Sequence, residues 1–262
     1  MFACHPILSD VNGGSCPICV LSRRLGLRPF WRYYGGKWRS APRYPTPLHA
    51  TIIEPFAGAA GYSLRHPDRN VILVEKYPIV AEIWRYLIAT SAAEIAAIPI
   101  VDHVEDLPSR TPTGARMLVG FCLGAGVVEP KRSMSAGMRR FRDQGKMTEG
   151  WGVGMRSRAA SQVDSIRHWR VIEGDYTAAP NVEATWFIDP PYEGRAGSLY
   201  VHKSDAIDYP TLGEWCRSRR GQAIVCEADG AQWLPFRSFG VTSGTCGRQS
   251  REAIWESIGA AR

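Results

Sequence analysis

Two stretches of the chain combine a short apolar run, an acid at its end and a following loop or amphipathic segment. HATIIEPFAGAAGYSL predicts a strand at residues 51–53, a tight glycine-bearing loop and the start of a helix. NVILVEKYPIVAEIWRYLIAT predicts a buried strand at residues 71–74 that ends at Glu75, followed by a helix. That helix is predicted from apolar residues at helical spacing, namely Ile79, Ile83, Trp84, Leu87 and Ile88. Alternating strands and helices favour an α/β fold, with a parallel sheet and helices on both faces.

Later apolar runs extend this pattern. RMLVGFCLGAG, residues 116–126, fits either a strand or a buried helix, because periodicity does not separate the two. Residues 161–175 predict a helix that runs into a short strand ending at Asp175. A further strand ends in WFI, directly before the segment DPPY. After it we expect a helix at residues 209–219, a strand at 222–227 and a last strand near 253–257.

Residues 130–160 lack this periodicity and are rich in glycine and arginine, which predicts an inserted loop region rather than core. Positive charge is concentrated in the same part of the chain. Residues 116–170 hold eleven Lys or Arg and four Asp or Glu, an excess of seven that equals the formal net charge of +7 of the whole chain. A polyanionic partner explains this distribution, and a solvated basic surface is the alternative.

The size and composition of the chain are those of a globular protein. Its 262 residues suffice for one sizeable α/β domain, or for a domain with a smaller insertion. No run of 18 apolar residues occurs, and MFACHPILSD lacks a charged region followed by an apolar one, so we expect neither a membrane span nor a secretory signal. Seven cysteines, an odd number scattered along the chain, favour a reducing, cytoplasmic setting over a disulfide framework.

The segment EPFAGAAG predicts a ligand-binding loop at the carboxyl end of a strand. Gly58 and Gly61 would let a ligand approach the backbone closely, although glycine turns at such places are often purely structural. At the end of the next strand, Glu75 can accept hydrogen bonds from a ribose diol, or it can serve as a helix N-cap. Because no Lys-Ser or Lys-Thr follows the glycines, a nucleoside without phosphates fits better than a nucleotide.

The segment DPPY, residues 189–192, predicts a stiff corner at the end of a buried strand. An exocyclic aromatic amine is a poor nucleophile, since its lone pair is delocalised into the ring. Asp189 and the carbonyl of Pro190 would accept hydrogen bonds from such an amine and hold it for in-line attack. Tyr192 offers a face on which a base rotated out of a duplex can stack. A plain proline turn is the alternative.

Taken together, EPFAGAAG, the acid in LVEK, EGDY and DPPY, in this order, resemble the motifs of amino-methyltransferases that use S-adenosylmethionine (SAM). RYYGGKW, residues 32–38, resembles the N-terminal YxGGK motif of the Dam-like DNA adenine-N6 methyltransferases, and SREAIWES resembles their closing strand. The resemblance implies a Rossmann-like methyltransferase domain at residues 30–262. Its sheet would be mainly parallel and seven-stranded, with one antiparallel strand near the end. A short basic target-recognition insertion would lie at about residues 116–165.

The resemblance also implies roles for individual residues. The cofactor-binding set comprises Tyr34, Gly35, Gly36, Lys37, Glu54, Pro55, Phe56, Ala57, Gly58, Gly61, Glu75, Lys76, Asp175, Tyr176 and Asp189. In this set Lys37 would lie near the methionine end of SAM, Glu75 at the ribose hydroxyls and Asp175 at the adenine ring. The catalytic corner that holds the target amine comprises Asp189, Pro190, Pro191 and Tyr192. The candidate DNA-binding residues are Lys131, Arg132, Arg139, Arg140, Arg142, Arg156 and Arg158.

The N-terminal extension, residues 1–29, carries a candidate zinc knuckle. CPIC has the spacing of a metal-binding turn, and Cys4, His5, Cys16 and Cys19 would supply four ligands for a structural zinc ion. Free thiols in a loop are the alternative.

These observations predict a SAM-dependent, adenine-specific methyltransferase that acts on the N6 amine of a flipped base in double-stranded DNA, in the cytoplasm of a bacterial or phage-infected cell. Cytosine N4, or adenine in RNA, could use the same corner. A non-catalytic DNA-binding protein with a vestigial SAM fold is the alternative from a different class. An acid stands at each expected place, which favours the enzyme.

Overall fold

The computed structural model describes residues 26–124, 126–145, 150–243 and 249–258. A seven-stranded sheet forms its centre, in the order β3-β2-β1-β4-β5-β7-β6. The strands are β1 (Thr51–Glu54), β2 (Asn70–Glu75), β3 (Arg170–Glu173), β4 (Ala184–Ile188), β5 (Gly221–Ala228), β6 (Arg237–Ser243) and β7 (Gln249–Ile258). Six of these strands, all but β6, were predicted from the sequence, and their presence is confirmed.

The sheet is mixed, and the reversal of direction lies in one strand. The five strands β1 to β5 pair in parallel with one another, whereas β7 pairs antiparallel with both β5 and β6. β2 and β3 lie on one side of β1, and β4 and β5 lie on the other. The strand order therefore switches direction between β1 and β4, which is where open α/β sheets form a crevice at their carboxyl ends.

Six α-helices connect and cover the strands in the described part of the chain. They are α1 (Pro78–Ala89), α2 (Ala92–Ala97), α3 (Thr113–Cys122), α4 (Ala136–Asp143), α5 (Val153–Gln162) and α6 (Tyr209–Arg217). The structure decides the ambiguous segment at residues 116–126 in favour of a helix, α3. The described residues include no helix that is both long enough and apolar enough to cross a membrane.

Apolar side chains on the two faces of the sheet form two separate cores. Along β1, Ile52 belongs to one cluster and Ile53 to the other, as expected from the alternation of side chains in a strand. The first cluster contains the apolar side of α1, including Trp84. The second contains Leu212 of α6. Helices therefore cover both faces, which confirms the predicted α/β architecture.

Three predictions about individual elements need correction, and one strand was not predicted. No α-helix begins after Gly61, where the chain forms turns and a short 3-10 helix, Ser63–Arg65. Residues 130–160 are not simply a loop, because they include α4 and α5. β3 ends at Glu173, so Asp175 lies in the turn that follows. The edge strand β6 was not predicted, since RSFGVTS has neither a continuous apolar run nor a regular alternation.

Candidate functional site

A cleft of about 290 Å³ opens at the carboxyl ends of the parallel strands. Four acids from four adjacent strand ends line it: Glu54 of β1, Glu75 of β2, Asp175 after β3 and Asp189 after β4. The volume is at the lower end of the range for small-molecule sites. A ligand in this cleft would meet a wall of carboxyl groups, which disfavours phosphates.

The structure brings nearly all of the predicted site residues together. All fifteen members of the predicted cofactor-binding set line this one cleft, although they come from separate parts of the sequence. Of the predicted catalytic corner, Asp189 and Pro191 line the cleft, whereas Pro190 and Tyr192 do not. Pro190 is buried and Tyr192 is partly buried.

Glu75 is fixed by the backbone around it. Its Oε2 accepts a hydrogen bond from Gly58 N at 2.8 Å, and its Oε1 accepts one from Tyr77 N at 2.9 Å. Burial raises the pKa of Glu75 above the ordinary glutamate value, and these N–H groups partly offset that effect. A carboxylate has about four lone-pair sites, so acceptor capacity remains for a ligand hydroxyl in the cleft.

The glycine loop is shaped by the chain's own backbone. A Cβ atom at Gly61 would lie 2.6 Å from Trp38 N, so a side chain there would separate this loop from the segment that carries Lys37. Ala57 N donates to Val74 O at 3.1 Å, which ties the loop to β2. The glycine at 61 therefore permits the close approach of two cleft-lining segments, rather than the approach of a ligand.

Glu54 is a buried acid at the base of the cleft. Its Oε1 accepts a hydrogen bond from Ser63 N at 2.7 Å. Burial raises the pKa of Glu54 from 4.5 to about 8, while the contact with Ser63 opposes the shift. The side chain is therefore mainly uncharged at pH 7.

Lys37 lies between two buried carboxylates. Its Nζ is 2.9 Å from Asp189 Oδ1 and 3.7 Å from Glu252 Oε1 on β7, and it donates to Gly35 O at 3.1 Å. The lysine side chain is only 7% exposed. Burial disfavours its positive charge, but Asp189 and Glu252 outweigh that effect, so the pKa of Lys37 lies above the ordinary lysine value.

The pKa of Asp189 is also raised, although an ion pair with Lys37 by itself would lower the pKa of a carboxyl group. Burial is the main cause, and Lys37 opposes it. The two effects are reconciled when charges are counted, because one ammonium faces two buried carboxylates. Among the described residues no second cation lies within ion-pair distance of either carboxylate, so Lys37 offsets the cost of burying only one negative charge. Asp189 Oδ1 is moreover buried without a well-aligned hydrogen bond from any described residue, despite the close ammonium.

The corner at residues 189–192 is held from three sides. Tyr209 Oη at the start of α6 donates to Pro191 O at 2.7 Å. Glu227 at the end of β5 accepts a hydrogen bond from Glu193 N, the residue after the corner, at 3.2 Å. Tyr192 Oη lies 3.4 Å from Glu252 Oε1. Pro190 O accepts a hydrogen bond from no residue in the described part of the chain.

The ring of Tyr192 has one face toward Lys37. The ammonium lies 4.7 Å from the ring centroid, a cation–π distance. A stacked base would therefore have to use the opposite face.

Tyr200, in the segment after the corner, packs across the cleft. Its Oη donates to Tyr34 O at 3.3 Å, and its ring makes an edge contact with the Tyr34 ring at 5.2 Å between centroids. A Cβ atom at Gly35, whose φ is +71°, would collide with this hydroxyl. The glycine at 35 therefore gives Tyr200 its place beside Lys37.

Five of the seven predicted DNA-binding residues make side-chain contacts within the chain, although Arg132 makes only a solvent-exposed pair with Glu105, 3.9 Å apart. Arg142 Nη1 lies 2.6 Å from Asp102 Oδ1, and Arg139 Nη1 lies 3.6 Å from Asp102 Oδ2. Arg156 donates to Ile98 O at 2.8 Å, and Arg158 contacts Met155. Arg139, Arg142 and Arg156 therefore fasten α4 and α5 to the preceding segments, a structural role that the charge count did not reveal. Arg158 instead contacts a residue of its own helix.

Lys131, Arg132 and Arg140 are exposed, with Arg132 92% exposed. We refer to these three as the exposed basic set. The segment that leads to them borders the cleft, because Val127 forms a β-bridge with Tyr33 and Val127 O accepts a hydrogen bond from Tyr34 N at 3.4 Å. The set thus begins four residues after a contact with the cleft lining.

The four candidate zinc ligands, Cys4, His5, Cys16 and Cys19, lie outside the described residues. Within residues 26–124, 126–145, 150–243 and 249–258, no cluster of three or more His, Cys, Asp or Glu side chains could hold a metal ion. Cys226 is buried in β5.

Comparison with known proteins gives no family assignment: no family model matches the chain, and no curated protein matches it significantly. The geometry of the site therefore has to support any functional conclusion.

Sequence reasoning missed several residues that build the site, namely Tyr44, Tyr200, Tyr209, Glu227 and Glu252. Glu252 lies within SREAIWES, and the resemblance identified that segment only as a closing strand. The available signal was Glu252 itself, the second charged residue of that segment. Its role becomes visible once β7 pairs with β5 and brings Glu252 opposite Ala228.

Proposed function

We propose that this chain is a SAM-dependent methyltransferase that transfers a methyl group to the exocyclic N6 amine of adenine in DNA, on a base rotated out of the duplex. The observation that carries the proposal is the convergence of the DPPY corner, the Lys37–Asp189 pair and Glu75 in one cleft. The strand order and the single reversed strand β7 support a Rossmann-like methyltransferase fold.

The chemistry of the cleft lining fits SAM. Glu75 has acceptor capacity for the ribose hydroxyls, and the stacked pair of Phe56 and Tyr176, with centroids 5.5 Å apart, offers an apolar wall for the adenine ring. The acids at the strand ends suit a nucleoside that carries a positive sulfonium and no phosphate. When bound, SAM would supply an electrophilic methyl group.

The residues of the corner would hold the target amine. Its two N–H groups would donate to Asp189 and to Pro190 O, the carbonyl without a partner among the described residues. Lys37 would keep Asp189 in place, since its own donors face Asp189, Glu252 and Gly35 O. A base stacked on Tyr192 would use the ring face opposite Lys37. Orientation of the amine is the main contribution of such a site to the rate.

DNA would approach over the exposed basic set, Lys131, Arg132 and Arg140. These residues follow a segment that borders the cleft, so phosphate contacts there would place the duplex beside the corner.

The test is transfer of labelled methyl from SAM to a varied pool of unmethylated duplex DNA, followed by nucleoside analysis, with RNA as a parallel substrate. We expect labelled N6-methyladenine from DNA, and none with Asp189→Ala. Label in N4-methylcytosine or in RNA would support the proposed role of the corner and would change the proposed substrate. SAM binding without transfer to any pool, or equal transfer by Asp189→Ala, would reject the proposed mechanism.

A further inference from the structure

Glu252 is a buried acid that neither the motifs nor the proposed roles include. It is 5% exposed and lies on β7, opposite Ala228 of β5. Its Oε2 accepts a hydrogen bond from Tyr44 Oη at 2.9 Å, and its Oε1 faces Tyr192 Oη at 3.4 Å and Lys37 Nζ at 3.7 Å. Such an acid is costly to bury, and the fold places it beside the corner.

The charge count around Lys37 suggests what this acid does. Lys37 and Asp189 alone would form a neutral pair, and Glu252 makes the group negative by one charge. Two further acids, Glu54 and Glu227, lie close enough to Asp189 to interact with its charge. Their pKa values of about 8 and about 7 leave Glu54 mainly uncharged and Glu227 partly uncharged at pH 7. The neutral groups that also face the pair are Tyr44, Tyr192, Tyr200 and Cys226. Among the described residues, Glu252 is thus the acid closest to the Lys37 ammonium after Asp189.

We propose that Glu252 is a positioning residue that gives the methyl-transfer site its net negative charge and so stabilises the positive charge that develops on the target amine. The inference rests on the proposed function. In the step, the amine nitrogen forms the new N–C bond, the S–C bond breaks and its electron pair stays on sulfur. The nitrogen is then positive until an N–H proton passes to Asp189 and on to water. Fixed charge aimed at a developing charge is an effective source of catalysis in a buried site.

Glu252→Gln tests the inference, because it keeps the shape of the side chain and its acceptor for Tyr44 while removing the charge. We expect kcat to fall on the order of tenfold to a hundredfold, as for small losses of positioning, with the affinity for S-adenosylhomocysteine unchanged. The matched control is Glu256→Gln, four residues further along β7, where the acid instead contacts Gln222. We expect wild-type kcat from it.

A second readout does not depend on activity. In the protein without ligands, ¹³C NMR of the Asp189 carboxyl should show its pKa lowered by about one pH unit in Glu252→Gln, because a like charge has been removed. The acid limb of the pH profile of kcat should move in the same direction. Glu252→Asp retains the charge, so it should keep most of the wild-type kcat and most of the wild-type pKa of Asp189. If Glu252→Gln does not fold, the inference is tested with Glu252→Asp.

The outcomes separate this inference from the proposed function. Two results would overturn the role of the Glu252 charge and leave the proposed function standing, provided that the wild type is active. One is an Asp189 titration that does not change in Glu252→Gln. The other is an equal loss of kcat in Glu252→Gln and Glu252→Asp. A wild type that binds SAM and transfers no methyl group would reject the proposed function, and with it a catalytic role for Glu252, whether or not the two carboxyl groups prove to be coupled.

Discussion

Tyr209 Oη donates a hydrogen bond of 2.7 Å to the carbonyl oxygen of Pro191. The carbonyl oxygens of the two prolines therefore differ in their hydrogen bonding. Pro191 O accepts a hydrogen bond from Tyr209, whereas Pro190 O accepts none from the described residues. The same bond joins the corner to the first turn of α6. It therefore anchors the corner, and under the proposed function it would leave Pro190 O as the carbonyl that accepts a hydrogen bond from the target amine.

Tyr209→Phe removes this bond and leaves Pro191 O without its donor. We expect the free energy of unfolding to fall by about 1–2 kcal/mol. We expect kcat to fall by about tenfold, because a loosened corner positions the amine less well. Urea unfolding and single-turnover methyl transfer measure the two effects.

Tyr62→Phe is the matched control, since Tyr62 Oη donates to Pro45 O, also at 2.7 Å, outside the corner. It should lose similar stability and keep its kcat. If both variants lost activity equally, the Tyr209 bond would have no special link to the reaction.

Lys37→Met leaves Asp189 and Glu252 buried without their cation. Breaking a buried ion pair from one side costs about 3–5 kcal/mol of unfolding free energy. Without the ammonium the pKa of Asp189 rises further, so the acid limb of the pH profile of kcat should move to higher pH, opposite to the shift expected for Glu252→Gln. Urea unfolding and the pH profile check both points.

Lys76→Met is the control for the unfolding measurement, because it removes a solvent-exposed ion pair with Asp175, whose two charged atoms are 3.0 Å apart. Its unfolding free energy should change by less than about 1 kcal/mol. A decrease as small as this in Lys37→Met would mean that the buried pair contributes no more than a surface ion pair.

Glu54 predicts a pH dependence of stability. Its pKa is about 8 in the folded protein, against 4.5 when it is solvated, so between these values the folded state binds more protons than the unfolded state. Stability from this group is therefore full below pH 4.5 and is lost as the pH rises toward 8, by up to about 5 kcal/mol. Glu54→Gln, which removes this titration, should lose less stability between pH 5 and pH 8 than the wild type does.

Urea unfolding at several pH values measures that slope. Glu94→Gln serves as the control, because hydrogen bonds from Ser91 lower the pKa of Glu94 and it does not titrate between pH 5 and pH 8. An equal slope in the wild type and Glu54→Gln would show that Glu54 is ionised in the folded protein.

The sequence predicted the central strands well because buried parallel strands are continuous apolar runs. β1, β2, β4 and β5 all have this property, and each carries an acid or a turn at its end. Since parallel strands end at the same edge of a sheet, the acids after them could also be expected in one place. Glu54, Glu75, Asp175 and Asp189 do line one cleft.

The sequence-based predictions that were wrong or missing concern segments whose conformation depends on tertiary contacts. After Gly61, hydrogen bonds of Ser63 N with Glu54 of β1 and of Arg65 with Trp38 O hold the chain in turns where its local pattern favours a helix. α4 and α5 have weak apolar patterns, and contacts of their arginines with Asp102 and Ile98 O hold them. Glu252 joins the site only through the antiparallel pairing of β7, which no local pattern encodes.

The basic region supports a prediction that separates surface charge from structural charge. Lys131, Arg132 and Arg140 are exposed, whereas Arg142 pairs with Asp102 and with Asp143. Replacing the exposed three by Ala should weaken DNA binding at all sequences. The slope of log K against log salt should become shallower by about 0.9 for each phosphate that the variant no longer neutralises. The unfolding free energy should stay unchanged.

Arg142→Ala provides the opposite case. It should lower the unfolding free energy by about 1–2 kcal/mol, because its charged hydrogen bonds are removed, with less effect on the salt slope than the triple variant. Fluorescence anisotropy over a series of salt concentrations measures the binding, and urea unfolding measures the stability. A triple variant that bound DNA with the wild-type slope would place the duplex elsewhere on the protein. In that case the charge excess between residues 116 and 170 would serve mainly to hold α4 and α5 in place, as Arg139, Arg142 and Arg156 already do.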